Sequence, residues 1–441
     1  MSRSLHMHFH KFRKSAITHN FLAMFGTQIA AYAFPLATIP YLARVLGPVH
    51  WGMVAFAQAL GLYLSMVVEF GFNLSATRRV ARARGNKQEL EEIVAGVMGA
   101  KVLLAAVSLV ITFVLQYLLK SFQQYGVIFW AGALSGIGQG FSMLWYFQGM
   151  ERMKTPAAMD VLGKGLAAAG IFMFVHNQQD AWRVLGLQCV CYCFVSLLLL
   201  WIAYKEVRFI WPSMDSVRCS MRDSAAMFLF RSSVSLYTTA NALILGALST
   251  PSAVGFYSGA EKLVKAMLNL LTPLTQALFP RLSRLLTTDR KRAAWLTRVS
   301  LLVMTAGSLL LCIGTLAAAP LITRIVLGPG YESAIPVMRV LSLLLPAIAV
   351  SNVLGLQWML PLGMDVAYNK IIISAGLLNL LLASLLAGRW QQMGMAWSVV
   401  ASEYLVTIAV CVLLVRRKTS PFNNPTDFRV RLQEQLNGIN V

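Results

Sequence analysis

The chain has 441 residues, of which 57% are hydrophobic and only 12% are charged, and its mean hydropathy is +0.64. Apolar runs of about 20 residues, long enough to cross a hydrocarbon core of about 30 Å, recur along it. The formal net charge of +21 does not indicate nucleic-acid binding, because no soluble segment could collect the basic residues on one face. The sequence therefore predicts an all-α, polytopic membrane protein.

Twelve transmembrane helices are predicted. A cleavable signal peptide is not expected, because the first apolar segment is much longer than the hydrophobic region of such a peptide. The approximate limits of the spans are Asn20–Ala43, Trp51–Leu74, Ile93–Leu119, Tyr125–Phe147, Ala157–Val175, Ala181–Tyr204, Ser224–Leu248, Ala253–Pro280, Ala294–Ala318, Ile335–Leu360, Val366–Gly388 and Met393–Val415.

The distribution of lysine and arginine predicts the orientation. The two tails and the loops on their side of the membrane hold 25 of these residues, whereas the loops on the opposite side hold five. Cytoplasmic loops carry the excess of basic residues in membrane proteins. Both termini are therefore expected in the cytoplasm.

The chain also contains a weak internal repeat. Gly52 opens the second span and Gly255 opens the eighth, and each lies 26 residues before a basic residue, Arg78 and Arg281. Such a repeat predicts two six-helix lobes of like orientation around a central cavity. The expected domains are a cytoplasmic tail (1–19), an N-lobe (20–204), a cytoplasmic linker (205–223), a C-lobe (224–415) and a second cytoplasmic tail (416–441).

Apart from Arg183, which lies at the start of a span and is counted with the outer loops, eight basic residues fall inside predicted spans. Arg298, Arg339 and Lys370 lie near span ends, where a long side chain reaches the interface. The others are deeper, and each would cost about 2.5 to 3.5 kcal/mol if it faced lipid. We expect these five to face a cavity or a partner: Lys101, Lys164, Arg231, Lys262 and Lys265.

Two of the deep lysines have an acidic residue one helical turn away. Asp160 precedes Lys164 by four residues, and Glu261 precedes Lys265 by four, a spacing at which helical side chains meet. Charge neutralisation within the helix and a functional role both remain open for these pairs.

The remaining deep basic residues have no such neighbour. Lys101, Arg231 and Lys262 are isolated within their own helices, which favours a functional role. Glu69 and Glu403 are the only other clear acids in the spans, so the interior is net positive. A cationic interior predicts an anionic substrate.

Six motifs along the chain carry a resemblance to a known family: PLATIPYLARVLGP, WGMVAFAQ, FGFNLSATRRVA, WYFQGMERMK, YSGAEKLVKA and PLTQALFPRLS. They resemble motifs of the bacterial O-antigen flippases of the Wzx type, which belong to the multidrug, oligosaccharidyl-lipid and polysaccharide exporter superfamily. The resemblance covers most of the chain after residue 19 and is strongest in the first lobe. The residues that it carries over most safely are Arg44, Glu261 and Lys262.

The resemblance implies a flippase, not an enzyme. Its substrate would be an undecaprenyl-diphosphate-linked oligosaccharide repeat unit, moved from the cytoplasmic to the periplasmic leaflet of the bacterial inner membrane by alternating access. Membrane lipids, a polysaccharide polymerase and a chain-length regulator are the implied partners.

The first span predicts a gate. Pro35 and Pro40 each remove a backbone hydrogen bond from the helix, while Gly47 and Pro48 end it. Bending of such a helix would open or close the periplasmic mouth, and Arg44 would meet a diphosphate or an acidic sugar there. The alternative is a static kink, with Arg44 bound to lipid headgroups.

The deep carboxylates are candidates for ion coupling. Glu69, Asp160, Glu261 and Glu403 could each carry a proton, and Glu261 is favoured because Lys262 and Lys265 are close in sequence. No nucleotide-binding signature, cofactor or metal site is predicted. The rival functions are an ion-coupled drug-type antiporter, whose cavity is expected to be acidic, and a membrane-embedded polysaccharide polymerase, which would need a periplasmic catalytic loop.

Overall fold

The computed structural model describes the backbone of residues 2–118 and 120–423. Side chains are described in these ranges except at positions 2–33, 35, 120, 121, 230, 231, 233–239, 272, 273, 276 and 277. Every regular element in the described ranges is helical, which confirms the predicted all-α class. The chain divides into two compact units, residues 1–232 (unit 1) and residues 233–441 (unit 2).

Unit 1 contains eight helices and the first part of a ninth, which continues past Ser232 into unit 2. A single 3-10 turn, Gln178–Asp180, precedes the eighth. The helices are α1 Ser2–Glu69, α2 Phe72–Arg82, α3 Lys87–Leu118, α4 Lys120–Gln124, α5 Gly126–Gly140, α6 Leu144–Gly149, α7 Lys154–Phe174, α8 Ala181–Tyr204 and α9 Met214–Thr239.

Unit 2 continues with seven further helices and two π-helical segments, Thr323–Leu327 and Asn352–Met359. The helices are α10 Asn241–Leu248, α11 Pro251–Asn269, α12 Thr272–Thr288, α13 Arg290–Ile322, α14 Ala334–Ser342, α15 Leu344–Ser351 and α16 Asp365–Arg416.

Eight segments in the described ranges are long and apolar enough to cross a membrane, so the protein is a multi-pass membrane protein. Two of the longest helices are each a pair joined at a kink. The backbone of α1 leaves the helical region at Gly47 (φ 67°), and that of α16 does so at Gln391 (φ 47°). The break predicted at Gly47 is thus present, whereas the number of twelve crossings stays a prediction.

The predicted span from Trp51 to Leu74 is not one continuous helix. Helix α1 ends at Glu69, and both Phe70 (φ 41°) and Gly71 (φ 78°) have left-handed backbone angles before α2 begins. A Cβ at Gly71 would also lie 2.9 Å from the backbone nitrogen of Phe228, so a glycine is needed there. Hydropathy does not register such a break, because both sides of it are apolar.

Three other predicted spans are each divided into two helices. Short turns without left-handed backbone angles separate α5 from α6, α11 from α12, and α14 from α15. The same spacing of 203 residues that separates Gly52 from Gly255 also relates α3 to α13. Helix α3 begins at Lys87, and α13 begins 203 residues later, at Arg290.

The closest helix packing in unit 1 joins α1 to α5. A Cβ on Gly136 would overlap the backbone of Gly61, and a Cβ on Gly132 would lie 2.8 Å from the carbonyl carbon of Ala57. Small residues allow such close approach of helices in a membrane, where packing rather than hydrophobicity drives association.

Candidate functional site

A cavity of about 180 Å³ lies inside unit 2, between α10, α11, α14, α15 and α16. Six aliphatic side chains form most of its wall. The polar residues that line it are Asn241, Tyr257, Glu261, Lys265 and Glu403. The fold therefore places two of the predicted coupling carboxylates and one predicted basic residue around the same small space.

The local sequence of α11 sets the position of this charged group. The Thr250 hydroxyl accepts a hydrogen bond from the Ala253 amide, and Pro251 occupies the first turn, so the helix starts at a well-defined residue. Tyr257, Glu261 and Lys265 then follow at intervals of four and share one face.

The Glu261 carboxylate is the centre of the group. Its Oε1 atom lies 3.0 Å from Lys265 Nζ and accepts a hydrogen bond of 3.3 Å from the hydroxyl of Tyr257. Tyr257 is fully buried, and the Glu261 side chain is 17% exposed. The predicted i,i+4 contact is therefore present. A polar group in an apolar wall needs partners, and the ion pair and the tyrosine hydrogen bond supply them.

Two asparagines form a polar contact that sequence reasoning missed. Asn379 Nδ2 of α16 donates to Asn241 Oδ1 of α10 over 3.0 Å, and both side chains are buried. The Oδ1 atom of Asn379 accepts no hydrogen bond from any described residue. An amide in the middle of an apolar helix was the available signal, because in a membrane such a group needs a partner.

Lys101 lies in unit 1 and is fully buried. Its ammonium donates hydrogen bonds of 2.8 Å to each of two backbone carbonyl oxygens, those of Gly140 and Ser142. Glu69, half-buried at the end of α1, adds a favourable electrostatic interaction. This geometry favours a structural role for Lys101 over the substrate contact predicted from its isolation in α3.

The other predicted pair of unit 1 is also formed. Lys164 Nζ lies 2.8 Å from Asp160 Oδ2, and the two side chains are 30% and 49% exposed. The pair is thus more open to the surroundings than the one formed by Glu261. Its ammonium and carboxylate neutralise each other in α7, and both stay accessible to a ligand.

The predicted gate residues lie around the kink of α1. The backbone stays helical through Pro40, and Gly47 supplies the break. The Arg44 side chain is exposed close to it, and the Tyr41 hydroxyl donates to the Val175 carbonyl over 2.6 Å. This hydrogen bond connects the part of α1 just before its kink to the segment that follows α7.

The remaining predicted site residues are Lys262, Arg231 and Pro35. Lys262 is partly buried in α11, next to Glu261. The side chains of Arg231 and Pro35 lie outside the described residues, so their predicted roles are carried by the sequence alone.

Ion pairs also connect the basic segments at the ends of the helices of unit 1. Arg84 contacts Glu151 at 3.0 Å, Arg79 lies 3.7 Å from Asp223, and Arg152 pairs with Glu206. The Arg84 guanidinium lowers the pKa of the Glu151 carboxyl, first by hydrogen bonding and then by its charge. Among the described residues, no group of three potential metal ligands occurs.

Fold and site together define a polytopic, all-α membrane protein with ionic groups buried between its helices. The family model described as polysaccharide biosynthesis protein matches residues 17–286. The chain therefore belongs to the polysaccharide biosynthesis protein family.

Two relatives agree with this assignment, and one solved structure shares the fold. The chain is 33% identical over 409 residues to a protein of Escherichia coli (strain K12) named "Putative O-antigen transporter", a match that covers 91% of this chain and 97% of the relative. A protein of the same name from Shigella dysenteriae is 28% identical over 88% of this chain and 98% of its own length. The lipid II flippase MurJ in an inward closed conformation shares the fold, with a TM-score of 0.67 at 10% identity over 89% of this chain and 86% of that one.

Proposed function

We propose that this protein is a flippase for lipid-linked oligosaccharide repeat units. The observation that carries the proposal is the alignment of 91% of the chain, at 33% identity, with the E. coli relative that is named for O-antigen transport. Fold similarity to a lipid flippase is compatible with this function. The proposed function is transport and includes no covalent chemistry.

The proposed substrate carries its oligosaccharide on undecaprenyl diphosphate and moves from the cytoplasmic to the periplasmic leaflet by alternating access. The charge balance supports an anionic carrier, because the predicted spans hold eight basic residues and only four clear acids. The side chains proposed to meet the diphosphate or acidic sugars are Arg44, Lys164, Arg231, Lys262 and Lys265. Lys101 is left out, since its ammonium is already held by two carbonyls.

The cavity of unit 2 is proposed as the site of ion coupling. A volume of about 180 Å³ is well below the ~300 to 1,000 Å³ of a typical ligand pocket, so it suits an ion or a few waters better than an oligosaccharide. Glu261 and Glu403 line it and could each carry a proton. Glu69 and Asp160, the other candidates, belong to unit 1 and have lysine neighbours.

Coupling would follow from competition for the lysines of α11. An anionic substrate that binds Lys262 or Lys265 weakens the pairing of Lys265 with Glu261 and so favours protonation of Glu261. By reciprocity, protonation of Glu261 frees Lys265 for the substrate. The alternative is that the pair only braces α11.

Gating is proposed to use the kink at Gly47 together with Pro35 and Pro40, which would let the outer part of the first span tilt while Arg44 contacts substrate. We place the protein in the bacterial inner membrane with both termini in the cytoplasm, because of the excess of basic residues in the tails and alternate loops. A polysaccharide polymerase and a chain-length regulator are the proposed partners.

One observation favours a second function. The cavity of unit 2 combines two carboxylates with Asn241 and Tyr257, a set of oxygen atoms that suits a cation. An ion-coupled antiporter of small molecules would need such a site, and it would not need the basic residues of the other helices.

Complementation separates the two functions. The gene is expressed in a strain that lacks its own O-antigen transporter but makes the lipid-linked repeat unit, and surface polysaccharide is measured by immunoblotting. The flippase function predicts restored surface polysaccharide and unchanged drug sensitivity. Accumulated lipid-linked repeat units despite normal protein levels, with raised drug resistance, would favour the antiporter.

A further inference from the structure

Two helix breaks lie side by side in unit 1. One separates α1 from α2 at Phe70 and Gly71, and the other separates α5 from α6 at residues 141–143. A Cβ on Gly140, the last residue of α5, would lie 2.6 Å from the Cβ of Val68, in the last turn of α1. Helices α1 and α5 therefore end at the point where they pack against each other.

The second break leaves two carbonyl oxygens without their usual helical donors. The Leu144 amide, which would reach Gly140, donates instead to Ser142 Oγ, and the Tyr146 amide donates to Met143 rather than to Ser142. Lys101 donates to the carbonyls of both Gly140 and Ser142. An unsatisfied carbonyl in a membrane interior is costly, and a cation at the end of a helix is favoured by the helix dipole.

The first break is connected to the same ammonium. Glu69 is the residue immediately before Phe70 and Gly71, and its carboxylate interacts favourably with the charge of Lys101. The buried ammonium of Lys101 thus interacts with groups at both breaks. This explains how a lysine can be fully buried in an apolar bundle.

Beyond the breaks, α2 and α6 continue as a packed pair. The Thr77 hydroxyl donates to the Trp145 carbonyl over 3.1 Å, and Arg84 Nε donates to the Gly149 carbonyl over 2.7 Å. A Cβ on Gly149 would lie 2.6 Å from the Cβ of Val80. Along the chain, α2 continues α1 and α6 continues α5 through the two breaks at which Lys101 acts, and the pair also packs against α3 and α8.

The repeat shows that a charge is not required at such a break. The residue 203 positions after Lys101 is Met304, which is buried with Ala349 and Val353 beside Leu271, one of the two residues between α11 and α12. Unit 2 therefore fills the equivalent position of its sequence with an apolar side chain. The lysine of unit 1 is an addition to the shared architecture.

We propose that Lys101 is a positioning residue that pins the junction of α5 and α6 and so fixes the α2–α6 pair during transport. Its ammonium does not bind the substrate. The proposal rests on the proposed function only for its transport readout, and the contacts themselves can be tested without it.

The test compares Lys101→Met, which copies unit 2, with Lys101→Arg, which keeps the charge and the donors. Val102→Met is the matched control, because it places the same methionine on the exposed side of α3. Each protein is reconstituted with fluorescent lipid-linked oligosaccharide, and turnover per folded transporter and the half-saturating substrate concentration are measured. We expect Lys101→Met to lower turnover about tenfold, with the half-saturating concentration changed less than about twofold, and Lys101→Arg to recover most of the loss.

Wild-type turnover in Lys101→Met, or a half-saturating concentration raised about tenfold at constant turnover, would overturn the proposal. A second measurement covers the case in which the variants do not fold. Reductive methylation of the wild-type protein in nanodiscs, followed by peptide mass spectrometry, should modify Lys87, which is exposed at the start of α3, far faster than the buried Lys101. Equal reaction of the two lysines contradicts the proposal, whether or not the reconstituted protein flips lipid-linked sugars.

Discussion

Glu261 and Lys265 form an ion pair at the wall of the cavity in unit 2, with 3.0 Å between Oε1 and Nζ. The lysine end is 52% exposed, whereas the glutamate end is 17% exposed and shares its carboxylate with the Tyr257 hydroxyl. The pair therefore joins a buried acid to a more accessible base. In such an arrangement an anion can compete with the glutamate for the lysine, as the proposed coupling requires.

Substitution of Glu261 tests coupling. We expect Glu261→Gln to bind lipid-linked oligosaccharide much as the wild type does, because the amide keeps the size and the contact with Tyr257. The imposed pH gradient should no longer change the flipping rate in proteoliposomes, since the titrating group is gone. Glu92→Gln, at an exposed acid of α3, serves as the control. An unchanged pH response in Glu261→Gln would leave the pair only a bracing role.

Neutral substitutions test the cationic interior. Arg231→Gln and Lys262→Gln should each abolish surface polysaccharide while membrane levels stay normal, because a diphosphate loses a charge-assisted contact. Arg231→Lys should be milder, since it keeps the charge and loses only the forked geometry. Arg292→Gln, at an exposed arginine of α13, should have no effect. Full complementation by both neutral variants at native expression would remove these residues from the substrate site.

Much of the fold follows from local patterns. The helices, the Gly47 break and the contacts of Lys164 and Lys265 depend on hydropathy, glycine and i,i+4 spacing, which are short-range properties. The breaks at Phe70 and at residues 141–143 do not follow, because apolar residues lie on both sides of them. Tertiary packing decides where such helices stop.

The contacts of the candidate site are likewise only partly predictable from the sequence. Sequence predicts that Lys101 needs a partner, but its partners are backbone carbonyls 39 and 41 residues away, which carry no signature in a side-chain pattern. The Asn241–Asn379 contact spans 138 residues and is equally invisible. Only the fold reveals contacts between residues that lie this far apart in the sequence.

The asparagine contact should contribute to stability. Asn379→Leu leaves Asn241 Oδ1 without its donor inside an apolar bundle, and we expect a loss of about 1 to 3 kcal/mol. The midpoint temperature of unfolding in detergent should fall accordingly. Leu381→Ala, at an exposed position of the same helix, should change it much less. Equal midpoints for Asn379→Leu and wild type would show that the buried contact is energetically neutral.

Close packing of α1 and α5 predicts a sharp difference between two glycines. Gly136→Ala adds a methyl group that overlaps the Gly61 backbone, so we expect little folded protein in the membrane. Gly307→Ala, in α13, would meet no heavy atom within 4 Å and should be tolerated or slightly stabilising. Fluorescence-detected size-exclusion chromatography measures both. Normal yields of Gly136→Ala would mean that the two helices separate easily.

Flipping by the purified protein shows whether this chain moves lipid-linked oligosaccharide. Proteoliposomes are loaded with a fluorescent undecaprenyl-diphosphate-linked repeat unit, and its exposure is followed with a membrane-impermeant quencher. We expect the protected inner pool to become accessible far faster with wild-type protein than in protein-free vesicles, and Arg231→Gln to show no such acceleration. If folded wild-type protein leaves the inner pool as protected as in empty vesicles, the chain is not a flippase for this lipid-linked oligosaccharide.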